Sequence, residues 1–261
     1  MSTQAPLAPS PISGPFCRKN GRSADAFRVL QCRTGIIRAA AGSVLISYGD
    51  TEVICAVTYE NQVPRWMKEQ GLKGGWLTAE YSMLPYSTAT RKPRDITKGK
   101  LDGRSVEIQR LIGRALRACL DLENMEPITL TVDCDVLNAD GGTRTAAITG
   151  GAIALSLAID KLIHDKILST SPLRALVAAV SVGVVHGQIL LDLDYIEDSQ
   201  ASVDMNVVMD SHHQLIEVQA SGEESTFSEA QFHTMLELAK KGIRSLTQWQ
   251  SEILAQSKIK I

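Results

Sequence analysis

Apolar residues recur along this chain in two rhythms. Between residues 29 and 58 they form short β-branched runs divided by glycine: Val29 to Arg33, Ile36 to Ala41, Ser43 to Tyr48 and Thr51 to Thr58, separated by Gly35, Gly42 and Gly49-Asp50. This pattern predicts an antiparallel meander. Trp76 to Met83 predicts another strand. From Ser105 the rhythm changes, and Val106, Ile108, Leu111, Ile112, Ala115, Leu116 and Cys119 follow at helical spacing, which places Arg110, Arg114 and Arg117 close together on one side of a helix. Ser105 lies in its N-cap region and Glu107 in its first turn. Ile128 to Val136 predicts a strand that passes through Gly141-Gly142 into a long Ala/Leu/Ile helix. Leu176 to Val185 and Gln188 to Asp194 predict strands about the turn His186-Gly187, and Val207 to Met209 pairs with Leu215 to Gln219 as a hairpin. A last helix opens at Ser228 and carries Phe232, Met235, Leu236, Ala239, Ile243, Leu246, Ile253 and Leu254 on its apolar face.

Two segments lack either rhythm. Residues 1–15 combine Pro, Ser and Ala without charge, the signature of a disordered tail. Asn61 to Gly75 is polar and glycine-containing and reads as a mobile loop, with Trp66 set among Arg65, Lys68 and Lys73.

With 261 residues, 44% of them hydrophobic, the chain can bury a full core. A net charge of −2 excludes nucleic-acid binding through bulk charge and leaves only a local patch. That patch follows Pro85, where Arg91, Lys92, Arg94, Lys98, Lys100, Arg104, Arg110, Arg114 and Arg117 are opposed only by Asp95, Asp102 and Glu107. A charged helix face is usually just solvated, but these residues begin in a loop, so a polyanion is the natural partner. Five cysteines without a CxxC pair fit reduced thiols and a cytoplasmic setting. The longest apolar run, Ala175 to Val185, is too short for a bilayer. The histidines show no metal-ligand spacing, and adjacent His212-His213 suits a surface turn. GxSxG, Walker A and Rossmann fingerprints are absent.

Chemistry concentrates at two places. The turn before the long helix holds Gly142, Thr143 and Arg144, where free backbone N–H groups and a guanidinium fork suit a phosphate. Further on, Asp192, Asp194, Glu197, Asp198 and Asp204 crowd five carboxylates into thirteen residues. Such crowding calls for a divalent cation such as Mg²⁺ or a carboxyl of raised pKa, against the plainer reading of a polar loop.

Three strings make the chain resemble the ribonucleases of the PH type, phosphorolytic 3′-to-5′ exoribonucleases that trim transfer RNA precursors. They are GRSVEIQRLIGRALRA (Gly103 to Ala118), DCDVLNADGGTRTAAITG (Asp133 to Gly150) and LLDLDYIEDSQASVDMNVVM (Leu190 to Met209). GSVLISYGDTEVICAVT (Gly42 to Thr58), GWLTAEYSMLP (Gly75 to Pro85) and the last helix extend the likeness. The resemblance implies an α+β fold (α/β in the broad sense), a single domain over residues 16–261 with mixed sheets packed against long helices. It implies inorganic phosphate as co-substrate, held by Arg104, Gly142, Thr143 and Arg144. Asp198 and Asp204 match the family's catalytic and metal-linked carboxylates, with Mg²⁺ as the expected ion. Arg91 and Arg94 match arginines attributed to RNA contact, and Tyr86 stands where a third arginine is usual; its ring can stack on a base instead. By the same resemblance the partners are RNA and further copies of the chain, as dimers assembled into a hexameric ring, with Arg65, Lys68, Lys73, Arg91 and Arg94 facing the channel. Two rivals remain: a non-catalytic RNA-binding ring subunit of an exosome-like complex, and a small-molecule kinase, which would lack a Walker lysine.

Overall fold

The computed structural model describes residues 18, 21–223 and 225–258, so the expected tail at residues 1–15 lies outside the described residues. Its strands form two sheets. The first contains β1 (Leu30–Thr34), β2 (Gly42–Tyr48), β3 (Thr51–Glu60), β4 (Trp76–Met83) and β5 (Thr129–Asn138) in the order β1-β2-β3-β5-β4. The meander β1-β2-β3 is antiparallel as the glycine spacing predicts, β3 continues antiparallel to β5, and β4 joins β5 in parallel, so the sheet is mixed. The second sheet contains β6 (Val177–Val185), β7 (Gln188–Leu191), β8 (Ala201–Asp210) and β9 (Leu215–Gly222) in the order β7-β6-β8-β9, all antiparallel.

Between the two sheets runs α4 (Thr143–His164), which packs on β2, β3 and β6. It is long and apolar enough to cross a membrane by composition, yet 78% of its most apolar window is buried inside this fold. Period-two alternation supplies the surface it meets: Val44, Ile46 and Tyr48 of β2, Val53, Cys55 and Val57 of β3, and Leu130, Val132, Cys134 and Val136 of β5 all point into the core. Helix and strand touch backbone to backbone at Gly42, where a Cβ would lie 2.2 Å from the Ala154 carbonyl oxygen. Strand β6 is buried at every position, with α4 and α6 (Glu229–Lys258) packed against it, which is why it reads as an apolar run broken only by Ser181 and Gly183. The helix α3 (Gly103–Ala118) lies on β4 and reaches β9, and one hydrophobic cluster draws on both sheets.

Three expectations change. Ile36 to Ala41 is a turn, because β1 and β2 pair through Thr34 and Val44 and the residues between form their connection, tied by the Ser43 hydroxyl accepting from the Ile37 N–H at 2.9 Å. Asn61 to Gly75 is not simply a loop: it holds the short helix α1 (Arg65–Glu69), anchored by buried Met67 and by Trp66, whose ring meets Trp76 edge-on at 5.0 Å. And β8 starts at Ala201, so Asp204 belongs to a strand rather than to a loop.

Candidate active site

The loop after β5 turns back on itself through Gly141 and Gly142, whose φ values of 75° and 65° lie in the left-handed region that favours glycine. A Cβ on Gly141 would come within 2.7 Å of the Leu193 carbonyl oxygen, so the turn also needs glycine for space. Gly142 is the N-cap of α4 and no side chain caps the helix start. The N–H groups of its first turn are therefore left for another partner, and an anion is what they and the helix dipole suit. Thr143 is buried, its hydroxyl accepting from the Tyr81 phenol at 2.8 Å. Arg144 extends towards β9, donating to the Gln219 amide oxygen at 3.0 Å and to Glu107 of α3 at 3.4 Å.

Across from this turn stands the five-residue helix α5 (Tyr195–Ser199), capped by Asp194 and Glu197 in a reciprocal capping box. Its Asp198 and the Asp204 side chain of β8 face the same pocket, of about 840 Å³, as Arg104, Gly142, Thr143 and Arg144. All six residues expected to hold phosphate or act on the reacting groups are thus brought together. Arg104, in the first turn of α3, has no hydrogen-bond partner among the described residues.

The two carboxylates are held in an environment that disfavours their charge. Burial pushes the Asp198 carboxyl up, against the opposing pull of Arg104 and Arg144. Burial and the neighbouring Asp198 push Asp204 up further, to about 6. Asp204 accepts one hydrogen bond, from the Asn206 amide at 3.1 Å, while its Oδ1 is buried with no partner. The described residues contain no group of three His, Cys, Asp or Glu side chains suited to a metal. A hard cation that keeps several waters needs only one or two carboxylates, so the orphaned Oδ1 and the mutual repulsion of this pair fit Mg²⁺.

Of the five crowded carboxylates, raised pKa applies to Asp198 and Asp204, and the other three are paired with arginines. Glu197 accepts from Arg18 at 2.7 and 2.9 Å and from Arg22 at 3.1 Å. Asp192 takes a two-pronged contact from Arg28 at 2.7 and 3.0 Å, and Asp194 lies 3.6 Å from Arg22. Burial alone would raise the Glu197 carboxyl, but the Arg18 hydrogen bond and charge hold it below its ordinary value.

The RNA-contact candidates lie apart. Tyr86 is 69% exposed; Arg91 is exposed; Arg94, the N-cap of the short helix α2 (Asp95–Lys98), lines a separate cavity of about 200 Å³. Lys92 is taken up by Asp102 at 2.9 Å. On α3, Arg114 pairs with Glu217 at 2.8 Å and Arg117 sits 4.9 Å over the Trp76 ring, so much of that basic face is engaged within the chain. Sequence reasoning missed Ser181, Asn206, Glu223 and Ser225 on the pocket wall and Tyr81 behind Thr143. Only Asn206, two residues from Asp204 on the same strand face, could have been found by period-two reasoning.

Residues 26–159 match the 3′ exoribonuclease family, domain 1, and residues 175–242 match the same family's domain 2. Among solved structures, rice (Oryza sativa) Rrp46 is similar at 20% identity and TM-score 0.74, over 91% of this chain and 100% of that one. The Archaeoglobus fulgidus exosome with RNA bound to the active site is similar at 23% identity and TM-score 0.74, over 89% and 92%. An archaeal exosome core is similar at 22% identity and TM-score 0.71, over 90% and 91%. At these identities the structures speak for the fold alone, and the matched domains decide the rest: this chain belongs to the 3′ exoribonuclease family of ribonuclease PH type.

Proposed function

We propose that this protein is a phosphate-dependent 3′-to-5′ exoribonuclease that trims the 3′ end of transfer RNA precursors and other RNAs and releases nucleoside diphosphates. The observation that carries this reading is the convergence of Arg104, Gly142, Thr143 and Arg144 with Asp198 and Asp204 on one pocket. Inorganic phosphate would sit against the uncapped start of α4, between the two arginines, and one of its oxygens would attack the phosphorus of the last phosphodiester in line. The bond to the departing 3′ oxygen breaks, leaving an RNA shorter by one nucleotide. The arginines offset the repulsion between two anions and hold the nucleophile, so catalysis rests on proximity and electrostatics. Asp204, with its raised pKa, is suited to hold a proton near the departing oxygen. A Mg²⁺ held by Asp198 and Asp204 would instead supply charge neutralisation there. Arg91, Arg94 and Tyr86, exposed beyond the pocket, would guide the RNA. The working assembly would be a cytoplasmic homo-oligomeric ring, hexameric and built from dimers.

A second reading, a non-catalytic RNA-binding ring subunit of an exosome-like complex, is favoured by the likeness to the Archaeoglobus fulgidus exosome and the archaeal exosome core. On the comparisons alone it is the better supported, and the retained arginines and aspartates are what supports the first. A short 3′-extended RNA incubated with and without inorganic phosphate separates them. The enzyme releases nucleoside diphosphates only with phosphate; a scaffold binds the RNA and releases nothing.

A further inference from the structure

Outside the pocket lining, a buried ionic network joins the phosphate-side turn to the carboxylate-side helix. Arg28 is its centre. The Arg28 guanidinium, 6% exposed, forks onto Asp192 and also donates to the carbonyl oxygens of Asp140 and Gly141, the latter at 3.4 Å. Thr51, fully buried, donates its hydroxyl to the Gly141 carbonyl at 2.7 Å and accepts from the Asp140 N–H at 2.9 Å. The carbonyls of the glycine turn are thus engaged within this network, whereas the N–H groups that open α4 are not. Asp192, at φ 54°, occupies a backbone conformation uncommon for a side-chain-bearing residue, and it is pinned there by Arg28 and by its own N–H donating to Ser181 at 2.8 Å. Two residues on, Asp194 begins α5, whose Glu197 is gripped by Arg18 and Arg22.

We infer that Arg28, together with Thr51 and Asp192, is a positioning residue for the phosphate-holding turn, and that Arg18 and Arg22 position Asp198 through Glu197. The inference rests on the phosphorolytic reading of the pocket. Its physical content is a division of labour within one network. The Arg28 end sets where the N–H groups of Gly142 to Arg144 stand, and the Glu197 end sets where α5 presents Asp198. Neither end touches a reacting atom. A buried fork of this kind fixes geometry better than it adds stability, because burying the ions costs nearly as much as their attraction returns.

The test compares Arg28→Lys, which keeps the charge and loses the fork, with Glu197→Gln, which keeps the shape of α5's capping residue and loses its charge. Phosphorolysis of a short RNA is followed at varied phosphate. Arg28→Lys should raise KM for phosphate about ten- to hundredfold while Glu197→Gln lowers kcat with KM for phosphate little changed, since misplacing one group by about an ångström costs that much. General loosening of the fold would move both parameters alike in both variants, and that result, or an unchanged phosphate KM in Arg28→Lys, overturns the inference. If Arg28→Lys does not give the wild-type circular dichroism spectrum, Thr51→Val, which removes the other hold on the Gly141 carbonyl, takes its place with the same expectation. Should the wild-type protein release no nucleoside diphosphate, the phosphorolytic reading fails by itself. Calorimetric titration with inorganic phosphate then decides: weaker binding in Arg28→Lys than in Glu197→Gln upholds the positioning role, and equal binding, or none in the wild type, overturns it.

Discussion

Replacing Asp204 with asparagine should stabilise the folded protein at neutral pH, because the wild-type carboxylate ionises where burial and Asp198 disfavour a second charge. The carboxyl moves from an ordinary 3.8 to about 6 on folding. A folded-state pKa above the unfolded one means that the native protein binds the proton more tightly. The group therefore favours the native state most below pH 3.8, and that contribution is lost as the pH rises through about 6. Each pKa unit corresponds to about 1.4 kcal/mol, so the ionised side chain costs about 3 kcal/mol at pH 7.5, about 1.6 at pH 5 and about 0.6 at pH 4. Asparagine escapes this cost and can still accept from Asn206 through its carbonyl. Its amide would stand where Oδ1 now lies unpartnered, a penalty of about 1 kcal/mol that does not vary with pH. Urea unfolding of both proteins in a chelator-containing buffer at the three pH values reads the difference directly. The variant should be ahead by about 2 kcal/mol at pH 7.5 and lose that lead on acidification, while phosphorolysis is abolished. A pH-independent difference, or one that grows as the pH falls, would refute the assignment of the strain to Asp204.

Three further expectations follow from the same geometry. Arg144→Ala removes a charged donor from the pocket and should raise KM for phosphate about ten- to hundredfold, the equivalent of about 1.5–3 kcal/mol; an unchanged phosphate KM would remove the clamp from the mechanism. The double change Arg91→Ala and Arg94→Ala should lower the slope of log affinity for single-stranded RNA against log salt by about 1.4, and Tyr86→Arg should steepen it by about 0.7, as titrations at several salt concentrations would show. Slopes that stay put would place RNA contact elsewhere. Gly42→Ala forces a methyl group to 2.2 Å from the Ala154 carbonyl oxygen and should cost about 3 kcal/mol in urea unfolding, whereas an unchanged midpoint would mean that β2 and α4 separate freely.

The sheet meander, the glycine turn and the two long helices are legible from local pattern, because each is written in residues a few positions apart. Gly141-Gly142 before an Ala-rich helix announces both the left-handed turn and the uncapped helix start, and the structure bears this out. What local pattern cannot show is pairing across the chain. Counted by composition, Asp192, Asp194, Glu197, Asp198 and Asp204 are equivalent; in the fold the first three answer arginines some 170 residues away, such as Arg28 for Asp192, and only the last two face the pocket. Likewise Arg114 and Arg117 read as one basic helix face until Glu217 and Trp76 arrive from distant strands to occupy them. The parallel placement of β4 beside β5, with α3 between them in sequence, is a long-range event that the period-two signal of each strand leaves open.

The separation of Arg18 from Glu197, 179 positions along the chain, also sets an order of events during synthesis. At roughly 5–20 residues per second the early arginines wait about 9 to 36 s before their carboxylates emerge. The meander and α4 can pack meanwhile from contacts that are already available. The contacts that hold α5, and with it Asp198, against the glycine turn then form after those of the first sheet, and only the packing of β9 and α6 draws on later residues. Such long loop closures are the slow part of folding. A partly synthesised chain would therefore carry Arg104 and the glycine turn without Asp192, Asp198 and Asp204, and the pocket would be completed only with the second sheet.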